Sequence, residues 1–252
     1  MKVFVFIFSL LASVGAFAKN KIIIASDEWC PFNCAEKAVN PGYLLELAKL
    51  IYGKHDIDLE YRVMSWSRAV HACEIGKVDA VIGGYKEDAP NLIYPKEPMG
   101  AIGFDYYANS QSFVVINSID DLASYKLGVS ADYSYGEVID DYIERHGQDK
   151  QRVKIAYGEQ PLKSNLLFLS KGIVDVVVEA PEVMNLQLNQ NGDYVGGVKS
   201  IGQAQTPKEI YMGFSPKNPN ASYFAEIFSK EMRLLKDSAK LRLLKEKYGI
   251  TN

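Results

Sequence analysis

Two tryptophans, a close pair of cysteines and several carboxylates are the residues of this chain best suited to chemistry. The stretch from Lys21 to Cys34, KIIIASDEWCPFNC, sets them beside a short β-branched run. That run reads as a buried strand. It leads into Ser26, Asp27, Glu28 and Trp29, then Cys30-Pro31-Phe32-Asn33-Cys34. An aromatic, carboxylates and a cysteine clip at the carboxyl end of such a strand sit where α/β sheets take their ligands. The same residues also make sense as a disulfide-pinned loop with Trp29 as packing, and the sequence alone leaves both readings open.

Other kinds of site are less favoured. His55, His71 and His146 are far apart, with no i,i+4 pair and no neighbouring cysteine set, so no metal site is expected. There is no G-x-S-x-G, no phosphate-binding glycine loop and no dinucleotide fingerprint. No cofactor is expected. Residues 1–18, MKVFVFIFSLLASVGAFA, combine Lys2, an apolar run and Ala16-Phe17-Ala18, and read as a secretory signal peptide cleaved after Ala18. No later stretch is long and apolar enough to span a membrane. The formal charge is −3, and it becomes one unit more negative once Lys2 is removed. A mildly acidic exported chain is a poor partner for nucleic acid.

Export permits disulfides. Of Cys30, Cys34 and Cys73, the near pair Cys30–Cys34 is the expected bridge. Closing so short a loop is worth only about 2 kcal/mol. Cys73 is then a small buried hydrophobe on a helix, the alternative being that it pairs with one of the other two.

The elements that must position these groups come in two similar sets. Gly76-Lys77-Val78-Asp79-Ala80-Val81-Ile82 recurs as Gly172-Ile173-Val174-Asp175-Val176-Val177-Val178. Each reads as a glycine ending a helix and feeding a buried strand. Lys21–Ser26 is echoed by Tyr125–Ser130 in the same way. Two strand–helix–strand–helix–strand units about a hundred residues apart imply two α/β lobes. Helical faces fall at Leu44, Leu47, Ala48 and Ile51, and at Tyr135, Val138, Ile139 and Tyr142. Ser65 is available as an N-cap for the helix opening at Trp66. Extended crossings are expected at Phe104–Ile116, broken at Asn109–Ser112, and at Ser200–Pro207 before a strand at Ile210–Phe214. Ala221–Tyr248 reads as one amphipathic stretch whose stripe includes Phe224, Ile227, Phe228, Leu235, Ala239 and Leu243.

Taken together, the signal peptide, the aromatic-x-P-F loop, the paired G-x-x-D strands, the Tyr106-Tyr107 crossing and the late Lys247-Tyr248-Gly249 resemble periplasmic solute-binding proteins of the type II fold. The branch they suggest is extracellular solute-binding protein family 3. The resemblance spans essentially the whole mature chain. Trp66-Ser67-Arg68-Ala69, Tyr85-Lys86-Glu87-Asp88-Ala89-Pro90 and Tyr133-Ser134-Tyr135-Gly136 resemble an atypical branch of it.

This resemblance implies an α/β, two-lobe clamp. Each lobe would be a mostly parallel sheet flanked by helices, with residues 19–109 and 206–252 in one lobe and 110–205 in the other. It implies a monomer that closes on a small polar solute, commonly an amino acid, and delivers it to an inner-membrane ABC permease. By the same likeness, Trp29 and Trp66 match aromatics over the ligand. Gly83, Gly84 and Lys86 match a segment that meets a ligand carboxylate. Asp132, Tyr133 and Ser134 match a helix-start segment where free N–H groups favour an anion.

The chain departs from the pattern twice. The family's T-x-x-R arginine falls near Asn91, which leaves Arg68 or Lys86 as the available cation. The aspartate for an α-ammonium falls at Ala180, with Glu179 one residue early and on the opposite face of a strand. Two other readings use the same scaffold. One is a membrane-sensor receptor; the other is a dehydratase employing Glu179, Glu182 or Asp132 as a general acid. The leading expectation is a binding protein and not an enzyme.

Overall fold

The computed structural model describes residues 21–158, 160–190 and 197–250. The expected signal peptide lies outside the described residues. The first half of the chain runs β1 (Lys21–Ser26), α1 (Tyr43–Tyr52), β2 (Asp58–Val63), α2 (Trp66–Glu74), β3 (Ala80–Gly84) and β4 (Gly100–Asn109). The second runs β5 (Leu127–Ser130), α3 (Glu137–His146), β6 (Val153–Ala156), α4 (Pro161–Ser170), β7 (Val176–Glu179) and α5 (Pro181–Gln190). The chain then returns through β8 (Val198–Phe214), α6 (Ala221–Leu235) and α7 (Ala239–Lys247).

The strands form one curled sheet in the order β2-β1-β3-β8-β4-β7-β5-β6. In one half β1 lies between its parallel neighbours β2 and β3; in the other β5 lies between β6 and β7 in the same way. The internal echo of the sequence is therefore a duplicated strand plan, and its G-x-x-D has a structural meaning. Gly76 and Gly172 take left-handed backbone at the ends of α2 and α4, which bulky residues avoid. Asp79 Oδ2 accepts from the Ile23 N–H at 2.8 Å, and Asp175 Oδ2 accepts from the Lys126 N–H at 2.8 Å. Each aspartate thus satisfies a backbone donor at the start of the central strand of its half.

β4 and β8 join the halves as a long antiparallel pair from Gly100↔Ile210 to Asn109↔Val198, interrupted by register shifts. Such shifts bend and twist a ribbon, which curls the sheet between its halves. The crossings differ from the expected ones. β4 begins at Gly100 and stops at Asn109, where Asn109 Oδ1 accepts from the Gln111 N–H and turns the chain. Phe113, expected within the extended run, is 96% exposed. β8 is one 17-residue strand, Val198–Phe214, in which the expected break at Pro207 is only a shift of register against β4.

Helix faces follow sequence with three corrections. Leu44, Leu47, Ala48 and Ile51 are fully buried, which is the apolar stripe a 3.6-residue period requires. Val138 is instead exposed, on the solvent side of α3. Ser65 makes no side-chain cap for α2. The C-terminal stretch is two helices, because the chain breaks before Ser238, whose Oγ accepts from the Leu241 N–H; Leu243 is exposed. Cys30 and Cys34 are bridged, and Cys73 is free and fully buried, its thiol pushed up to about 12 chiefly by burial.

Candidate functional site

The carboxyl ends of β1, β3 and β5 point toward one place, and the segments leaving them build a cavity between the two halves of the sheet. From β1 come Asp27 and Trp29. From β3 come Gly83, Gly84, Tyr85 and Asp88. From the loop after β5 come Tyr133 and Ser134. Trp66 of α2, Phe104 of β4 and Ile210 of β8 complete it. Its volume is about 50 Å³, room for a few waters or a guest of a handful of heavy atoms.

The two tryptophans meet at this cavity from different foundations. Trp29 is 8% exposed and belongs to the main core, with its ring 4.7 Å from Phe32, 6.5 Å from Phe104 and 6.3 Å from Tyr133. Trp66 sits on a smaller cluster formed by Ala69, Cys73 and their neighbours. Its ring lies flush on Gly84: a Cβ at that position would fall 2.3 Å from Trp66 Cζ2.

A hydrogen bond joins the two halves at the cavity wall. Tyr133 donates to Asp27 Oδ2 at 2.5 Å, and Ser26 Oγ donates to Asp27 Oδ1 at 3.2 Å. Asp27, Trp66 and Tyr133 also line an outer cavity of about 470 Å³, so these side chains form the wall between the two spaces. Burial raises the Asp27 carboxyl above its ordinary range, and the Tyr133 hydroxyl offsets part of that rise. Asp132 has positive φ, a left-handed turn uncommon for a non-glycine residue, and it precedes the Tyr133 that reaches across. Asp132 Oδ2 accepts from Ser67 Oγ at 3.0 Å, a second contact between the halves.

Behind Trp29 lies Glu179, 1% exposed, whose Oε1 accepts from Trp29 Nε1 at 3.2 Å and from the Ala180 N–H at 2.9 Å. Burial, with some repulsion from Asp27, lifts its carboxyl to about 7. Glu179 lines a separate cavity with Gln160, Lys163 and Leu186.

The residues singled out in sequence therefore divide. Trp29, Trp66, Gly84, Tyr133 and Ser134 share the inner cavity. Arg68 and Asp132 line the outer one. Residues two apart on a helix do not share a face, so with Trp66 directed at Gly84, Arg68 is turned away. Lys86 lines neither cavity, because its Nζ lies 3.9 Å above the Tyr211 ring. Asp27, read in sequence as one of the carboxylates that follow β1, joins them, whereas Tyr85, Asp88, Phe104 and Ile210 were not among the sequence candidates. The missed signal is period-2 alternation beyond β3: if Tyr85 faces inward, Lys86 faces out.

The helix-start reading of 132–134 meets a physical obstacle. Asp140, in the first turn of α3, accepts from the Tyr135 N–H at 2.8 Å and from Ser134 Oγ at 2.6 Å. The chain's own carboxylate thus sits beside the segment expected to favour an anion. Asp88 does the same after β3, where its Oδ2 accepts from the Tyr85 N–H at 3.2 Å. Among the described residues no group of three or more His, Cys, Asp or Glu side chains is arranged to hold a metal, and no helix is long and apolar enough to cross a membrane.

No protein-family model matches the sequence, and no curated protein matches it. Solved structures do match in shape. An ancestral arginine-binding protein bound to glutamine superposes with a TM-score of 0.73 at 20% identity, over 92% of this chain and 99% of that one. A histidine kinase sensor domain with similarity to periplasmic binding proteins gives 0.73 at 18%, over 91% and 96%. The substrate binding protein of an amino acid ABC transporter gives 0.68 at 17%, over 91% and 99%. At these identities the likeness establishes the fold, that of the two-lobed periplasmic binding proteins.

Proposed function

We propose that the chain is a non-enzymatic receptor that binds a small polar solute, an amino acid or related small organic molecule, in the inner cavity. The carrying observation is that both tryptophans, rooted in separate clusters, line one cavity at the carboxyl ends of β1, β3 and β5. In this reading the lobes comprise residues 19–109 with 206–252, and 110–205. The chain is exported, cleaved after Ala18, works as a periplasmic monomer and hands its solute to an ABC importer. Support for delivery comes from the shape shared with the substrate binding protein of an amino acid ABC transporter. Of the carboxylates suited to general-acid chemistry, Glu179 is held by Trp29 and a backbone N–H outside the inner cavity, which argues against the dehydratase reading.

The Asp27–Tyr133 and Ser67–Asp132 bonds tie the halves together, and a guest that favours this closed arrangement shifts the population toward it. The test is native mass spectrometry of gently purified protein, followed by a thermal-shift screen of amino acids, organic acids and amines. A single small adduct, or a compound that raises the melting temperature at 1:1 stoichiometry, is expected. Complete indifference to all three classes contradicts the reading. A sensory role is the second reading, favoured by the shape shared with a histidine kinase sensor domain. A membrane signalling protein, and no permease, co-purifying with the chain distinguishes it.

A further inference from the structure

We propose, building on the solute-binding reading, that the guest of the inner cavity is a small organic cation, an ammonium or methylated ammonium without a carboxylate of its own. The cavity wall holds two carboxylates, Asp27 and Asp88, and among the described residues no lysine, arginine or histidine lines it. The remaining surface is largely aromatic, with Trp29, Trp66, Tyr85, Phe104 and Tyr133. Aromatic faces beside a carboxylate attract an ammonium by the ring quadrupole and by charge together.

Two further observations point the same way. Two nearby backbone donors are already held by carboxylates of the chain: Asp88 holds the Tyr85 N–H, and Asp140 holds the Tyr135 N–H. Finally, ammonium groups already rest on nearby rings, Lys86 Nζ at 3.9 Å from the Tyr211 centroid and Lys208 Nζ at 4.9 Å from that of Tyr85. Lys208 is paired with Glu87 at 3.2 Å and offsets only part of the charge at Asp88. Burying Asp27 and Asp88 without a cation in the cavity is unfavourable, as the raised proton affinity of both carboxyls shows. An incoming ammonium removes that penalty, whereas an anion adds to it.

The test is calorimetric and tryptophan-fluorescence titration of the full chain with butylamine, 1,4-diaminobutane and tetramethylammonium, set against butyrate, succinate and alanine. At least one cation is expected to bind 1:1 with a change in emission, and the carboxylate compounds are not. Asp88→Asn is expected to weaken that binding tenfold or more, with Asp27→Asn as the second variant should the first not fold. Glu28→Gln, outside the inner cavity, is expected to change it less than twofold. Binding of succinate or alanine but no cation overturns the proposal and leaves solute binding intact. Equal losses in Asp88→Asn and Glu28→Gln also overturn it, since long-range charge then suffices. Silence of every compound overturns the cation proposal, while the solute-binding reading stands or falls by the wider thermal-shift screen.

Discussion

The hydroxyl of Tyr133 donates a 2.5 Å hydrogen bond to the carboxylate of Asp27, joining the loop after β5 to the end of β1 across the cleft. Tyr133 is not free to wander, because the loop is pinned at both sides. Ser134 and the Tyr135 N–H bond to Asp140, and the Tyr135 hydroxyl accepts from the Ser130 N–H at 2.7 Å. A rigid loop thus presents one donor to one acceptor, and the two halves of the sheet meet there.

Tyr133→Phe removes that donor and leaves Asp27 with the weaker Ser26 contact. Loss of one hydrogen bond to a buried carboxylate costs about 1.5–3 kcal/mol. In a chain of this size that lowers the melting temperature by roughly 3–10 °C. Small-angle scattering of the variant is expected to show a larger radius of gyration, because the cleft opens. An unchanged melting temperature and radius contradict the role assigned to this bond.

Glu179 makes stability depend on pH. Its carboxyl titrates near 7 in the folded chain against an ordinary value of 4.5. The folded state therefore holds this proton more tightly than the unfolded state. The resulting stabilisation is complete below pH 4.5, falls as pH rises and is lost above 7, by at most about 3 kcal/mol. Glu179→Gln keeps an acceptor for Trp29 and Ala180 but cannot titrate. Urea midpoints at pH 5 and pH 8 are expected to differ more for the natural protein than for the variant. Asp27, raised in the same direction, contributes its own slope to both. Equal slopes contradict the assignment.

Gly84→Ala forces the Trp66 ring from its seat, since the added methyl overlaps Cζ2 and Cη2. Overpacking of this kind costs about 1–3 kcal/mol. The expected result is a shifted tryptophan emission maximum and at least tenfold weaker solute binding, with far-ultraviolet circular dichroism unchanged. Retention of both emission and binding contradicts the packing described.

Reduction of Cys30–Cys34 releases a short loop, and the chain-entropy estimate gives a loss of about 2 kcal/mol. Trp29 adjoins this loop, and the Asn33 side chain bonds the Asp27 carbonyl at 2.7 Å. The reduced protein is expected to unfold at lower denaturant concentration and to bind solute more weakly. Thiol titration of the folded, reduced chain should find two reactive groups, Cys73 remaining sealed. A third reactive thiol contradicts that burial.

The scaffold was legible because its signals are local and repeated. A glycine ending a helix, then an aspartate three residues on, marks β3 and β7 alike, and β1 and β5 share their apolar runs. The tryptophans stood out by scarcity. Asp27 was legible only as one of the carboxylates after β1, and Asp88 not at all, since single carboxylates in loops are common and only folding brings these two, 61 residues apart, to one wall. Lys86 and Arg68 were weighed as cations for a ligand because sequence gives proximity along the chain but not direction. One lies over Tyr211 and the other faces the outer cavity. The two-helix C-terminus and the unbroken β8 were hidden for a different reason. Pairing with β4 on both sides of Thr206-Pro207 keeps β8 one strand, the local break surviving only as a register shift there, and a capped break at Ser238 interrupts an otherwise continuous stripe.

The chain has two tryptophans, and both line the inner cavity, so their emission reports occupancy of that place. The most direct measurement is a fluorescence titration paired with calorimetry on the same compound, in the natural protein and in Trp66→Phe. A saturable 1:1 change in emission that tracks the heat is expected, with a smaller change and weaker affinity in the variant. A compound that binds by calorimetry yet leaves the emission untouched, or binds Trp66→Phe with undiminished affinity and an identical emission change, contradicts that expectation.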